Sequence, residues 1–211
     1  MSSTDWLEWH APYDDAGSSL SQRLAAVQRQ IRAVLDAAPD RTLRVVSACA
    51  GQGRDLLEVL AIHPARDRVS ARLVELDPRN VRIARAAAAA NGLTAVDVVQ
   101  ADAGAVDSYA GAVPADLVLF CGVFGNISDA DIERTIKALP QFCAPGATVI
   151  WTRGRWAPNV VASIRRWFDQ AGFAEKAFEA PDDATWSVGA DQLTADPRPA
   201  VPGARLFTFV R

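Results

Sequence analysis

The sequence predicts a doubly wound α/β domain: a single, mostly parallel sheet with helices on both faces, an antiparallel C-terminal hairpin and an N-terminal helical extension. Three observations carry this reading. From residue 41 onward, short apolar runs alternate with helix-like stretches, as in a parallel sheet covered on both sides. The first apolar run ends in a glycine-bearing turn that opens into a helix. The length of 211 residues, half of them hydrophobic and 22 % charged, suits one domain with a sizeable core.

Taken in order, residues 5–16 (DWLEWHAPYDDA) are aromatic and acidic, with no clear period. Ser18-Ser19-Leu20-Ser21 then opens an amphipathic helix. It carries Leu20, Leu24, Val27, Ile31, Val34 and Leu35 at three- and four-residue spacing and ends near Pro39. Residues 1–40 are therefore read as an aromatic segment and helix forming a lid or cap on a domain that spans 41–211. Strands are expected at 43–48, 71–75, 96–99, 117–121 and 147–152, with helices at 54–62, 79–91, 129–138 and 158–171 between and after them. The ending differs. Segments 174–179, 185–189 and 205–210 are strand-like with no helix between them, and 191–203 is rich in turn residues and proline. That predicts an antiparallel hairpin closing one edge.

Composition excludes several functions. The net charge is −3 and there is no basic run, which argues against a general nucleic-acid binder. The cysteines are Cys49, Cys121 and Cys143, widely spaced and without CxxC, and the histidines are His10 and His63. A zinc site is not expected from so few ligands. MSSTDWLEWH lacks the basic and apolar regions of a signal peptide, and no run of eighteen apolar residues occurs. The expectation is a cytoplasmic, reduced protein with no membrane partner and no metal. Its oligomeric state is open.

The chemistry concentrates where strands end. The first strand runs into Cys49-Ala50-Gly51-Gln52-Gly53-Arg54-Asp55; glycines let a ligand approach the backbone, and the helix that follows offers free N–H groups. The second ends in Glu75-Leu76-Asp77-Pro78. Glu75 is placed to accept both hydroxyls of a ribose, while Asp77 before Pro78 suits a helix N-cap. The third ends in Gln100-Ala101-Asp102-Ala103, where Asp102 either accepts from an adenine amine or caps residues 104–110. A dinucleotide fingerprint needs a third small residue where Leu56 stands, and no GxxxxGK[ST] occurs. Pyrophosphate and P-loop binding both lose support.

In this order and spacing, the chain resembles the class I (Rossmann-like) S-adenosylmethionine-dependent methyltransferases over residues 18 to 211. Gly51 and Gly53 match the last two glycines of that family's first motif, acidic-x-Gly-x-Gly-x-Gly. Glu75 matches its ribose-binding acid, Leu76 the residue packing on adenine, and Asp102 the acid near the adenine amine. Residues 115–120 (ADLVLF) resemble the fourth motif, and 139–146 (LPQFCAPG) the turn before strand five. The resemblance implies S-adenosylmethionine as cofactor, S-adenosylhomocysteine as product, and contacts from Ala50, Gly51, Gly53, Arg54, Glu75, Leu76, Asp102, Ala103, Cys121 and Val123. The sequence departs from the pattern at Ser47, where the family has Asp or Glu, and at Cys49, where it has the first glycine. This leaves the cofactor's amino-acid end to be anchored by Arg23, Arg54 or the N-terminal segment.

The acceptor is narrowed by the fourth strand end, Cys121-Gly122-Val123-Phe124-Gly125-Asn126. It lacks the Asn/Asp-Pro-Pro-Tyr/Phe of enzymes that methylate base amines, the proline that precedes a nucleophilic cysteine, and the acid of a magnesium site. Cys121 is read as a small buried thiol. A small-molecule acceptor, carboxylate-bearing or a natural product, is expected. Trp9, Phe124, Arg153 and Trp156 are the candidate acceptor contacts, and His10 and Tyr13 the candidate base or orienting groups. The alternatives are a protein that binds the cofactor without methylating, as in aminopropyl transfer or cyclisation, or a degenerate module of the same fold. A nicotinamide dehydrogenase is disfavoured by Leu56.

Overall fold

The computed structural model describes residue 15 and residues 17–210. The expected base or orienting groups His10 and Tyr13, and the expected contact Trp9, lie outside the described residues.

Seven strands form one sheet in the order β3-β2-β1-β4-β5-β7-β6: β1 (Leu43–Ala48), β2 (Val69–Glu75), β3 (Val96–Gln100), β4 (Ala115–Phe120), β5 (Cys143–Gly154), β6 (Phe173–Glu179) and β7 (Trp186–Leu193). The first five are parallel, and β7 is antiparallel to both β5 and β6. The helices are α1 (Ser19–Asp36), α2 (Arg54–Ile62), α3 (Pro78–Ala90), α4 (Asp129–Ala138) and α5 (Val161–Gln170).

Successive strand residues point to opposite faces, and this divides the core in two. Val45, Leu73, Leu117 and Leu119 pack against α1, α2 and α3. Val46, Val74, Val118 and Phe120 face α4, α5 and the 3-10 turn at Val106–Tyr109. The inner strands β1, β2, β4 and β5 are buried on both sides, which explains their continuous apolar character, while the edge strands β3 and β6 are partly exposed. The helix starts follow local chemistry. Ser18 Oγ accepts the Ser21 N–H, Asp77 caps α3 ahead of Pro78, and Ser128 Oγ accepts the Asp131 N–H.

Three expectations need correcting. Strand five starts at Cys143, before Pro145-Gly146, and takes up these extra residues in a register shift against β4 between Ala115 and Leu117. Helix five begins at Val161, because residues 155–160 around Pro158 form a loop. The hairpin consists of β6 and β7 turning at 180–185, and segment 205–210 adds no strand to it. This segment makes only isolated bridges, Ala105 with Arg205 and Ile127 with Phe209. Leu206 and Phe207 are buried in the core there, so the segment crosses back as a strap toward the carboxyl edge of the sheet.

Candidate functional site

The chain winds outward from β1 to β3, then returns to β4 on the other side of β1. The gap this creates beyond the strand ends is where doubly wound sheets bind ligands. A cavity of about 440 Å³ lies there, its wall drawn from α1, the β1–α2 turn, the ends of β2, β3, β4 and β5, and the strap.

The β1–α2 turn is built on left-handed backbone: Gly51 has φ +56° and Gly53 φ +73°. Cys49, at the family's first glycine position, adopts φ +53°. The side chain departs from the pattern, but the backbone keeps the conformation glycine would supply. Glu75 ties this turn to the next. One carboxylate oxygen accepts the Gly51 N–H and the other the Asp77 N–H, each at 2.8 Å. The residue is 8 % exposed and lines the cavity, and each oxygen keeps a further acceptor site for a ligand hydroxyl.

Ala50, Gly51, Arg54, Glu75, Leu76, Asp102, Ala103 and Cys121 all stand on the cavity wall. Leu76 is 60 % exposed at its mouth, where an apolar surface can meet a flat ring. At Asp102 one oxygen accepts the Gly104 N–H at 2.8 Å, as a cap would, and the other pairs with Arg205 of the strap at 2.7 Å. Gly53 sits behind the wall, its missing side chain making room for Leu57 and Leu73, both 2.8 Å from where a Cβ would be.

Val123 and Phe124, expected at the cofactor and the acceptor, are not on this wall. Both are fully buried, with Phe124 packed against Phe120 and Trp151. Arg153 and Trp156 lie off it as well. Arg153 is 9 % exposed beyond Thr152, its guanidinium carbon 5.7 Å from the centre of the Trp156 ring, and that ring folds back over Gly154.

Several wall residues had no assigned role. Thr152 Oγ1 accepts the Gly122 N–H and Asn126 donates to the Gly122 carbonyl, fixing the turn after β4. Phe209 arrives on the strap. Asn80 is fully buried at the wall, with neither amide atom hydrogen-bonded among the described residues. Its signal in the sequence is a polar residue on the stripe Asn80, Ala84 and Ala88 of α3. A buried amide left unpaired is costly, and here it faces a space that a polar ligand would fill.

Burial also governs the two cavity thiols. It pushes Cys49 well above the ordinary thiol range, and the charges of Glu75 and Asp102 add to the effect. It does the same to Cys121, with Asp55 adding and Arg23 opposing. Both are held as neutral thiols, poor nucleophiles at neutral pH. Asp55, in the first turn of α2, is held up to about 6, chiefly by burial.

A family model described as "Putative methyltransferase" matches residues 17–171. The chain belongs to this methyltransferase family. No curated protein matches it in sequence. Among solved structures, the methyltransferase chain is similar to magnesium protoporphyrin IX methyltransferase (ChlM) from Synechocystis PCC 6803 with bound SAM. The TM-score is 0.69 at 15 % identity, over 91 % of this chain and 92 % of that one. It is also similar to the [4+2]-cyclase SpnF (TM-score 0.57, 15 % identity, 79 % and 80 % covered). An RNA methyltransferase from Salinibacter ruber, in complex with S-adenosyl-L-homocysteine, aligns with a TM-score of 0.51 at 18 % identity, over 84 % and 96 %. These likenesses share the fold. Among the described residues, no helix is long and apolar enough to cross a membrane.

Proposed function

We propose that this methyltransferase-family chain uses S-adenosylmethionine to methylate a small-molecule acceptor by in-line transfer. The observation that carries the reading is Glu75, a buried carboxylate held by two backbone N–H groups at the wall of the switch-point cavity. A carboxylate fixed in this way suits a vicinal diol, and Leu76 and Asp102 beside it suit an adenine face and its amine. The orphaned amide of Asn80 supports a polar ligand in the same space. The bound cofactor would supply an activated methyl group on a sulfonium. The protein's own work is to position, to exclude water and to keep competing nucleophiles quiet. The protonated Cys49 and Cys121 meet the last requirement.

An acceptor bearing a carboxylate is the reading the sequence offers through Arg153, since a planar guanidinium pairs with that group in two bonds, although Arg153 lies off the cavity wall under Trp156. The sequence offers Trp9 as a further acceptor contact and His10 and Tyr13 as base or orienting groups. A second reading, cofactor binding without methyl transfer, draws support from the likeness to a cyclase. It is told apart by whether any acceptor releases S-adenosylhomocysteine.

The test is calorimetric titration with S-adenosylhomocysteine, with NAD as a control. Glu75→Ala is expected to weaken binding ten- to a hundredfold, from loss of about 1.5–3 kcal/mol of hydrogen bonding to a charged group. Equal binding by the variant and the parent would remove Glu75 from the site.

A further inference from the structure

A zwitterionic amino acid needs one acid and one base in the cavity that holds it. The family's acid stands at residue 47, but Ser47 is buried within β1 and stays off the cavity wall. Besides Asp77 and Arg79, which pair with each other, and Arg54, which donates to Gln52, the wall carries two groups of charge on opposite sides of β1. Glu75 and Asp102, at the ends of β2 and β3, are the two charges that act on the Cys49 thiol. Asp55 and Arg23 act on the Cys121 thiol at the end of β4. The first group has the chemistry for a nucleoside. The second holds one negative and one positive side chain.

The placement of this second pair follows from the helices. Asp55 sits in the first turn of α2, directly after the glycine turn, with one oxygen accepting the Leu56 N–H at 2.8 Å. Arg23 comes from the first turns of α1, which is fastened to α2 where Gln28 donates to the Arg54 carbonyl and to Glu58. Both side chains line the cavity.

We propose that Asp55 and Arg23 anchor the amino-acid end of S-adenosylmethionine, Asp55 taking the ammonium and Arg23 the carboxylate, in place of the charge missing at residue 47. The acid has moved eight residues along the chain, from the strand end to the start of the next helix. The inference rests on the cavity being the S-adenosylmethionine site. It adds the prediction that the amino-acid end and the nucleoside end are held by separable residues.

Two ligands separate them: S-adenosylhomocysteine, and 5′-methylthioadenosine, which has the same nucleoside but no amino acid. Asp55→Asn, which retains an oxygen for the Leu56 N–H, and Arg23→Gln are each titrated with both. The expected result is a ten- to hundredfold loss of S-adenosylhomocysteine affinity in each variant, with 5′-methylthioadenosine affinity changed less than about twofold. Retained thioadenosine binding shows at the same time that the variants are folded. A second readout is pH. Asp55 titrates near 6 under burial, with Glu58 on its own helix and Arg23 of α1 as its charged neighbours. Parent affinity for S-adenosylhomocysteine should therefore fall from pH 7 to pH 5, while thioadenosine affinity stays flat. Equal loss for both ligands, or no loss for S-adenosylhomocysteine, overturns the assignment. If the parent binds neither ligand, the S-adenosylmethionine reading itself fails and the anchor goes with it.

Discussion

Asn80 shows how much one side chain can reveal. Each buried polar group left without a partner costs about 1–3 kcal/mol, and both amide atoms of Asn80 are in that state among the described residues. Truncating a buried residue normally destabilises a protein. Asn80→Ala removes two orphaned groups at the wall of an open cavity and puts the best helix former into α3, so the ligand-free protein is expected to gain roughly 1 kcal/mol. Urea denaturation checks the sign. The same variant should bind S-adenosylhomocysteine several-fold more weakly, and unchanged binding would mark Asn80 as a packing defect with no ligand role. At this scale the sequence was legible where backbone dictates residue type: Gly51 and Gly53 both take the left-handed conformation their turn demands. It was opaque at Cys49, which adopts that conformation without being glycine. It also misled at Val123 and Phe124, since a residue following a strand end gives no sign of whether its turn faces the cavity or the core.

The strap is the element that reading by periodicity mistook. Residues 205–210 alternate like a strand, yet their neighbours are the loop after β3 and the start of α4. The preceding Pro197, Pro199 and Pro202 lack the N–H groups a ladder needs. Leu206 donates to the Gly104 carbonyl, Val106 donates to that of Ala204, and the Leu206 carbonyl accepts from Arg134 and Thr135. Gly104 is the point of closest approach, because a Cβ there would lie 2.4 Å from the Phe207 carbonyl oxygen. Gly104→Ala must push the strap away, and overpacking of this kind costs about 1–3 kcal/mol. The expected outcome is a lower melting temperature together with faster tryptic cleavage after Arg205, whose ion pair with Asp102 holds that stretch down. If melting falls while cleavage there stays slow, the strain is being absorbed by the loop after β3.

For the molecule as a whole, the alternation of apolar runs and helices was sufficient to place β1 to β5 and the helices on both faces, because burial on two sides leaves a continuous apolar record in β1, β2, β4 and β5 and the helical spacing on either side brackets the half-exposed β3. The antiparallel end is written less plainly, since β7 carries polar residues into the interior. Asp191 is 2 % exposed there and accepts from Trp151 Nε1 at 2.7 Å. Burial holds its carboxyl up at about 6; Glu175 pushes the same way, while the Trp151 bond and Arg165 oppose. An acid whose pKa is higher folded than unfolded contributes stability that is fully present below about 3.9, its unfolded value, and is lost as pH rises through 6. At pH 8 the fold therefore carries the cost of a desolvated charge in its sheet. Asp191→Asn keeps an oxygen for Trp151 and removes that charge. Its stability in urea should exceed the parent's by roughly 1–3 kcal/mol at pH 8, with the gap closing as pH falls toward 4.5. A gap of constant size across that range would mean that packing around Trp151, and not the buried charge, sets the difference.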